Sequence, residues 1–300
     1  MTVLLSFAFL ILLLTGHWVW AFIVLLILGC LSNAGDDGAK PKPTPSQSAP
    51  PMRVAENPRA HESVDYGMND AQYTIFLTSP AVTGRPASGL GTAVAAGMSG
   101  HNVRAGVAGE ESLARMFTAM DQTGRLHGAH VYFSCRNPGD TTGNTDIDCI
   151  VATGDTVWLL DAKHYTPAAP NACLVPTPGL GAGRRAGELR AYDKNANLNV
   201  PVASLNHVAP VKTYHASGNM AWAADAIRHA LPSVRVRPAV LLTRTSGGVY
   251  GVMAGTEFPG HVPVMTADGW AGGFTSQGAP TPAVDRYLRS LVKDRSFRDA

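Results

Sequence analysis

Between Val3 and Leu31 the chain carries no charged residue, and its apolar run is broken mainly by Ser6, Thr15, Gly16 and His17. A membrane-spanning helix needs about 20 such residues, so the run is long enough for one span and too short for two. From residue 33 to 66 the pattern disappears. The Pro-rich stretch from Ala39 to Pro51 has no apolar period and favours extended, polyproline-like conformations. Further on, two apolar, β-branched runs stand back to back, Asp146-Ile147-Asp148-Cys149-Ile150-Val151 and Val157-Trp158-Leu159-Leu160-Asp161-Ala162-Lys163, and each predicts a strand. Helical spacing recurs at Leu113, Met116 and Phe117, over residues 220–231, and at Val284, Tyr287, Leu288, Leu291 and Val292 on a helix over 282–294. Further strands are expected within 234–243 and over 261–266. Residues 73–78 read as a short strand, 84–100 as a Gly/Ala-rich loop or cap, and 166–190, with its Arg184-Arg185 pair, as a Pro/Gly-rich loop.

The paired runs carry the chemistry. If Gly154-Asp155 is a two-residue hairpin loop, cross-strand partners sum to a constant, so Asp148 faces Asp161 and Asp146 faces Lys163. Directly opposed residues have Cβ atoms ~5 Å apart. Two carboxylates that close repel, and either a shared proton or a divalent cation relieves them. Lys163, two residues after Asp161, points to the same side of its strand. Charged residues on a hairpin often form only a solvated face. Here the surrounding Ile147, Cys149, Ile150, Val151, Val157, Leu159 and Leu160 predict buried strands, in which unpaired charges are costly. Two acids and an ammonium on one face suit metal-assisted phosphodiester cleavage.

At these residues the chain resembles the nuclease-related domain (NERD) family, a branch of the PD-(D/E)xK nuclease superfamily. That family shows a Gly-Glu pair opening a helix, then a strand with a small-polar-acidic-Ile-Asp pattern, then an apolar strand ending in acid-x-Lys. Gly109-Glu110, Asp148 and Asp161-Ala162-Lys163 match in that order, and the resemblance spans about residues 104 to 245. Asp161 stands where the family more often has Glu. On the segment 219–228, Trp222 or Asp225 stands where a family Gln is common, and the connection from Lys163 to it is longer than the pattern expects. The resemblance implies an α/β fold with a restriction-endonuclease-like core, a mixed central sheet flanked by helices, preceded here by one transmembrane helix. It implies catalysis by Lys163, Asp148, Asp161 and Glu110. Mg²⁺ would be held by Asp148, Asp161 and Glu110, with Glu111 competing for the last role.

The organisation expected is an anchor at 1–32, a linker at 33–66, an irregular lead-in at 67–103, the nuclease-like core at 104–245, and a C-terminal strand and helix at 246–300. A formal net charge of +2 is too small to argue nucleic-acid binding by itself, so contacts with DNA, the expected substrate, fall to local patches. The four cysteines show no paired zinc spacing, and Cys149 reads as core. His164 should face away from the acids and serve the fold. No Lys or Arg precedes the apolar run, whereas Lys40, Lys42 and Arg53 follow it, so membrane lipid is met through residues 3–31 with the domain on the cytoplasmic side. Ile27-Leu28-Gly29-Cys30 also resembles a lipoprotein cleavage box, which would place the domain outside the cell on a lipidated Cys30. The leading function is a membrane-tethered, Mg²⁺-dependent nuclease. The alternative is a non-catalytic, envelope-associated binding module or lipoprotein on the same fold. No protein partner is indicated.

Overall fold

A computed structural model describes residues 64–88, 99–143, 145–169, 172–175, 187–193 and 209–293. The expected span at 3–31, Cys30, the linker as far as residue 63 and the Arg184-Arg185 pair lie outside the described residues. Among the described residues no helix is long and apolar enough to cross a membrane.

Among the described residues five helices are formed: α1 (Asp70–Leu77), α2 (Gly100–Gln122), α3 (Asn219–Ala230), α4 (Ala267–Gly273) and α5 (Pro282–Leu291). The strands are β1 (Val82–Thr83), β2 (His130–Arg136), β3 (Asp146–Thr153), β4 (Thr156–Lys163), β5 (Ala172–Val175), β6 (Gly187–Asp193), β7 (Lys212–Ala216), β8 (Arg235–Leu242), β9 (Gly251–Val252), β10 (Glu257–Phe258) and β11 (Val262–Thr266). Seven of them make a sheet in the order β1-β2-β3-β4-β8-β11-β10, to which strands from both sides of residue 245 contribute. It is mixed: β2, β3 and β4 run antiparallel to their neighbours in turn, while β4, β8 and β11 are parallel. The class is α/β, with helices on both faces.

The sheet is covered on both sides, which is why its central strands read as continuous apolar runs. On one face Cys149, Val151 and Leu160 meet Leu113, Met116, Phe117 and Met120 of α2 and Trp270 of α4. On the other, Ile150, Ala152, Val157 and Leu159 meet Ala223, Ala224 and Ile227 of α3 and Val284, Leu288 and Leu291 of α5. Each of the large side chains contributes roughly 1.5–3 kcal/mol by burial.

Three local expectations are corrected. Residues 73–77 are helical and Thr78 caps the end of the helix. Asn69 caps α1 by accepting from the Gln72 N–H at 2.9 Å, while the Gln72 side chain accepts from the Asn69 N–H at 3.1 Å. This reciprocal cap outweighs the β-branched residues of the segment. Gly109-Glu110 does not open a helix but lies in the middle of α2, whose N-cap is Ser99, accepting from the Asn102 N–H. The stretch after β4 is more than a loop. It supplies β5 and β6, which join β7 and β9 in a second, four-stranded sheet ordered β7-β6-β5-β9.

The β3–β4 hairpin forms around Gly154-Asp155, as expected. Gly154 takes φ +52°, the left-handed conformation that a first central residue of a two-residue loop requires. The turn is strapped from outside: the Gly154 N–H and the Thr153 hydroxyl both donate to the Gly278 carbonyl, at 2.9 and 3.1 Å.

Candidate active site

The opposite end of that hairpin carries the acids. Its ladder keeps the predicted register from Thr153–Thr156 to Cys149–Leu160, and there the pairing stops. Asp148 is therefore not a regular ladder partner of Asp161. Its Oδ2 instead accepts the Ala162 backbone N–H at 2.7 Å, so a carboxylate takes the place of a strand carbonyl. The β2–β3 ladder skips the same position: Cys135 pairs with Ile147 and Phe133 with Cys149, while Ser134, at φ +50°, lies between without a partner in the register. Asp146 lies across from Arg136 on β2, and its side chain forms an ion pair with Lys293. It does not pair with Lys163.

Glu110 reaches this end from α2. The helix passes so close to β4 that a Cβ on Gly109 would lie 3.3 Å from the His164 Cβ and 3.7 Å from the Ala162 Cβ. Glycine at this position lets the helix come down and bury the next residue, Glu110, which is only 7 % exposed. Its Oε2 accepts the Ala87 backbone N–H at 2.7 Å, and Ala87 sits at φ +62° in the loop after β1. That loop is tied down in turn by the Ser134 hydroxyl, which donates to the Arg85 carbonyl at 2.8 Å. Glu110 interacts with Asp148 and Asp161, whereas Glu111 is not among the groups that perturb Glu110, Asp148 or Lys163.

Lys163 and Asp161 project from the same side of β4 and meet as an ion pair at 2.7 Å, with side chains 30 % and 13 % exposed. His164, the next residue, is buried beside Gly109 of α2 and hydrogen-bonds Thr243 at 2.9 Å.

These groups perturb one another. Burial pushes the Glu110 carboxyl up to about 7; the Ala87 N–H opposes the rise, Asp146 and Asp161 add to it, and Lys163 subtracts. Burial likewise raises Asp148 well above the usual carboxylate range, reinforced by Glu110 and Asp161 and opposed by Lys163 and the Ala162 N–H. For Lys163, burial works against the charge, yet Asp161, Tyr165 and Asp148 outweigh it and hold the proton more firmly than usual. The four predicted residues thus share one electrostatic neighbourhood. Trp222 and Asp225 are not among the groups that perturb them, and Asp225 pairs with Arg228 at 2.9 Å.

Among the described residues no three His, Cys, Asp or Glu side chains stand close enough to form a ready-made metal cage. The chemistry of the donors nevertheless fits a hard divalent cation. Glu110, Asp148 and Asp161 offer carboxylate oxygens, the donors such ions prefer, and the strained protonation of two of them is what a bound cation relieves.

Sequence reasoning did not find three contributors. The Ala87 N–H and Ser134 act through backbone conformation, which no motif marks. Tyr165, just past β4, stacks on Tyr214 of β7 with ring centroids 3.9 Å apart and planes at 10°, and the spacing along the chain gave no hint of that contact.

No family model, curated protein or solved structure matches this chain.

Proposed function

We propose that the protein is a Mg²⁺-dependent phosphodiester hydrolase acting on DNA, built on a restriction-endonuclease-like core of the NERD kind. The observation that carries this reading is geometric: at one end of the hairpin Asp148 accepts the Ala162 N–H, Asp161 meets Lys163 at 2.7 Å, and α2 brings the buried Glu110 into the same electrostatic neighbourhood. Buried carboxylates that raise each other's proton affinity are costly, and such clusters mark sites more often than scaffolds.

Asp148, Asp161 and Glu110 would hold the Mg²⁺, which when bound supplies Lewis-acid polarisation of the phosphate and lowers the pKa of water. The chain's own residues do the rest. The Ala162 and Ala87 N–H groups fix two carboxylates in orientation before substrate arrives. Lys163, kept as an ammonium by Asp161, serves as a positive charge for developing phosphoryl negativity rather than as a base.

The test is nicking of supercoiled plasmid by the full chain in detergent, with and without Mg²⁺, beside Lys163→Ala. Mg²⁺-dependent nicking that Lys163→Ala loses supports the reading. No nicking with Mg²⁺ or Mn²⁺ would leave the non-catalytic binding module. The apolar run at 3–31 is proposed as the tether to the cytoplasmic face of the membrane. Removing it should move the protein from the membrane fraction to the supernatant, and lipid found on Cys30 would instead place the domain outside.

A further inference from the structure

The second sheet needs a purpose. Three of its strands, β5, β6 and β7, lie between Lys163 and α3, in the stretch that is longer than the family pattern expects, and β7 delivers Tyr214 to the exit of β4. Tyr214 stacks flat on Tyr165, two residues beyond Lys163. The Tyr214 hydroxyl meets the Tyr250 hydroxyl at 2.8 Å, and Tyr250 accepts the Ala168 N–H at 3.0 Å. The Tyr214 hydroxyl also approaches the Thr166 carbonyl at 3.5 Å. Two tyrosines, Tyr214 and Tyr250, therefore brace the strand exit, Tyr214 by stacking on Tyr165 itself.

What the brace holds is a phenol beside the ion pair. Tyr165 is close enough to Lys163 and Asp161 to interact electrostatically with both. It is half-buried, and its hydroxyl makes no hydrogen bond to another described residue. Tyr214 and Tyr250 spend their hydroxyls on one another and on the backbone, whereas Tyr165 keeps its donor for something else.

We propose that Tyr165 is a further catalytic residue: its phenol O–H donates a hydrogen bond to a phosphoryl oxygen of the bound nucleic acid, and the second sheet exists to hold that phenol in place through Tyr214. The inference rests on the nuclease reading for its substrate. A donor fixed by stacking needs no reorganisation as charge grows on the phosphate, and a donor of this kind contributes a factor of roughly 10 to 1,000. No bond is made or broken at Tyr165.

The experiment uses the full chain in detergent and compares wild type, Tyr165→Phe, Tyr214→Ala and the double variant. Three quantities are read: single-turnover cleavage in Mg²⁺, anisotropy of a fluorescein-labelled DNA duplex in EDTA, and thermal melting. Tyr165→Phe keeps the stack and removes only the hydroxyl. It should slow single-turnover cleavage at saturating enzyme about 10-fold or more, and melt with wild type. Tyr214→Ala should slow cleavage similarly, and adding Tyr165→Phe to it should cost little more, because a displaced phenol has nothing left to lose. Cleavage by Tyr165→Phe at the wild-type rate overturns the proposal. So does a melting point well below wild type, which would make the hydroxyl a structural group. If wild type binds the duplex without cleaving it and Tyr165→Phe binds more weakly, the nuclease reading fails while the phosphate contact stands. If wild type neither binds nor cleaves, both fall.

Discussion

Gly109 of α2 and His164, the residue that follows β4, are in close approach: a single added carbon on Gly109 would come within 3.3 Å of the His164 Cβ. His164 has little room to retreat, being buried and bonded to Thr243. Helix propensity alone favours replacing a mid-helix glycine, by ~1 kcal/mol. The contact should reverse that for a branched side chain. Gly109→Val is expected to destabilise the fold by about 2 kcal/mol or more, and to lower activity further by lifting Glu110. Urea melts check the first part; a wild-type midpoint would mean that the crossing is looser than described.

Glu110 sets a pH dependence. Its carboxyl is pushed from 4.5 to about 7, chiefly by burial, so between those values the folded chain holds a proton that the unfolded chain has released. Metal-free stability should therefore fall as pH rises from about 4.5 to about 7 and then level off, by on the order of 3 kcal/mol from this group. Glu110→Gln, which keeps the acceptor for Ala87, should flatten that slope and be the more stable protein at pH 8. Mg²⁺ affinity should climb over the same window, because the ion displaces the proton. Denaturant titrations at pH 4.5 and 8 with parallel slopes for both proteins would contradict this.

Lys163 and Asp161 should separate catalysis from ion binding. Lys163→Ala is expected to reduce cleavage by a factor of ~100 or more while keeping a Mg²⁺-induced rise in melting temperature. Asp161→Ala should lose most of that rise. Identical Mg²⁺ shifts in wild type and both variants would place the ion elsewhere.

At the far edge of the sheet, Asp285 on α5 accepts from Tyr132 at 2.7 Å, meets His130 at 2.8 Å and pairs with Arg289 at 2.7 Å. Burial works to raise its carboxyl, but Arg289, His130 and Tyr132 win and lower it to about 2. This stability is present above the ordinary carboxylate range and is lost as pH falls through about 2. Asp285→Ala should cost about 1–3 kcal/mol at pH 7, since it strands buried partners, and should leave cleavage unchanged. A loss of cleavage with the melting point intact would count against it.

The hairpin was legible in the sequence because local chemistry and tertiary context agree there: Gly154 suits the turn, and two apolar runs suit a sheet covered on both faces. Asp148, Asp161 and Lys163 lie on that hairpin, whereas Glu110 was legible only through the family resemblance and comes from α2. The start of α2 was misplaced because a glycine inside a helix looks like a boundary until its contact with His164 is seen. The α1 segment was misread because Ile75 and Thr74 favour strands while Asn69 and Gln72, two short-range capping residues, decide otherwise. The second sheet escaped notice because β5 is four residues long and its partners lie far along the chain, so no local period announces it. The strand β2 lacked a motif, although Val131-Tyr132-Phe133 has the composition of one.

The hairpin is clamped at both ends. Its turn is bolted to Gly278, its two strands are laddered to each other as far as Cys149–Leu160, and past that rung each strand is held from its outer side, β3 by β2 and β4 by β8. Beyond the last rung, Asp148 grips the Ala162 amide with its own carboxylate, the same oxygens that an incoming ion would want. An ion drawn to that carboxylate competes with the Ala162 amide for it, while the outer ladders hold the two strands in place. The contest is over which way one side chain turns, and the backbone stands as its fixed rival.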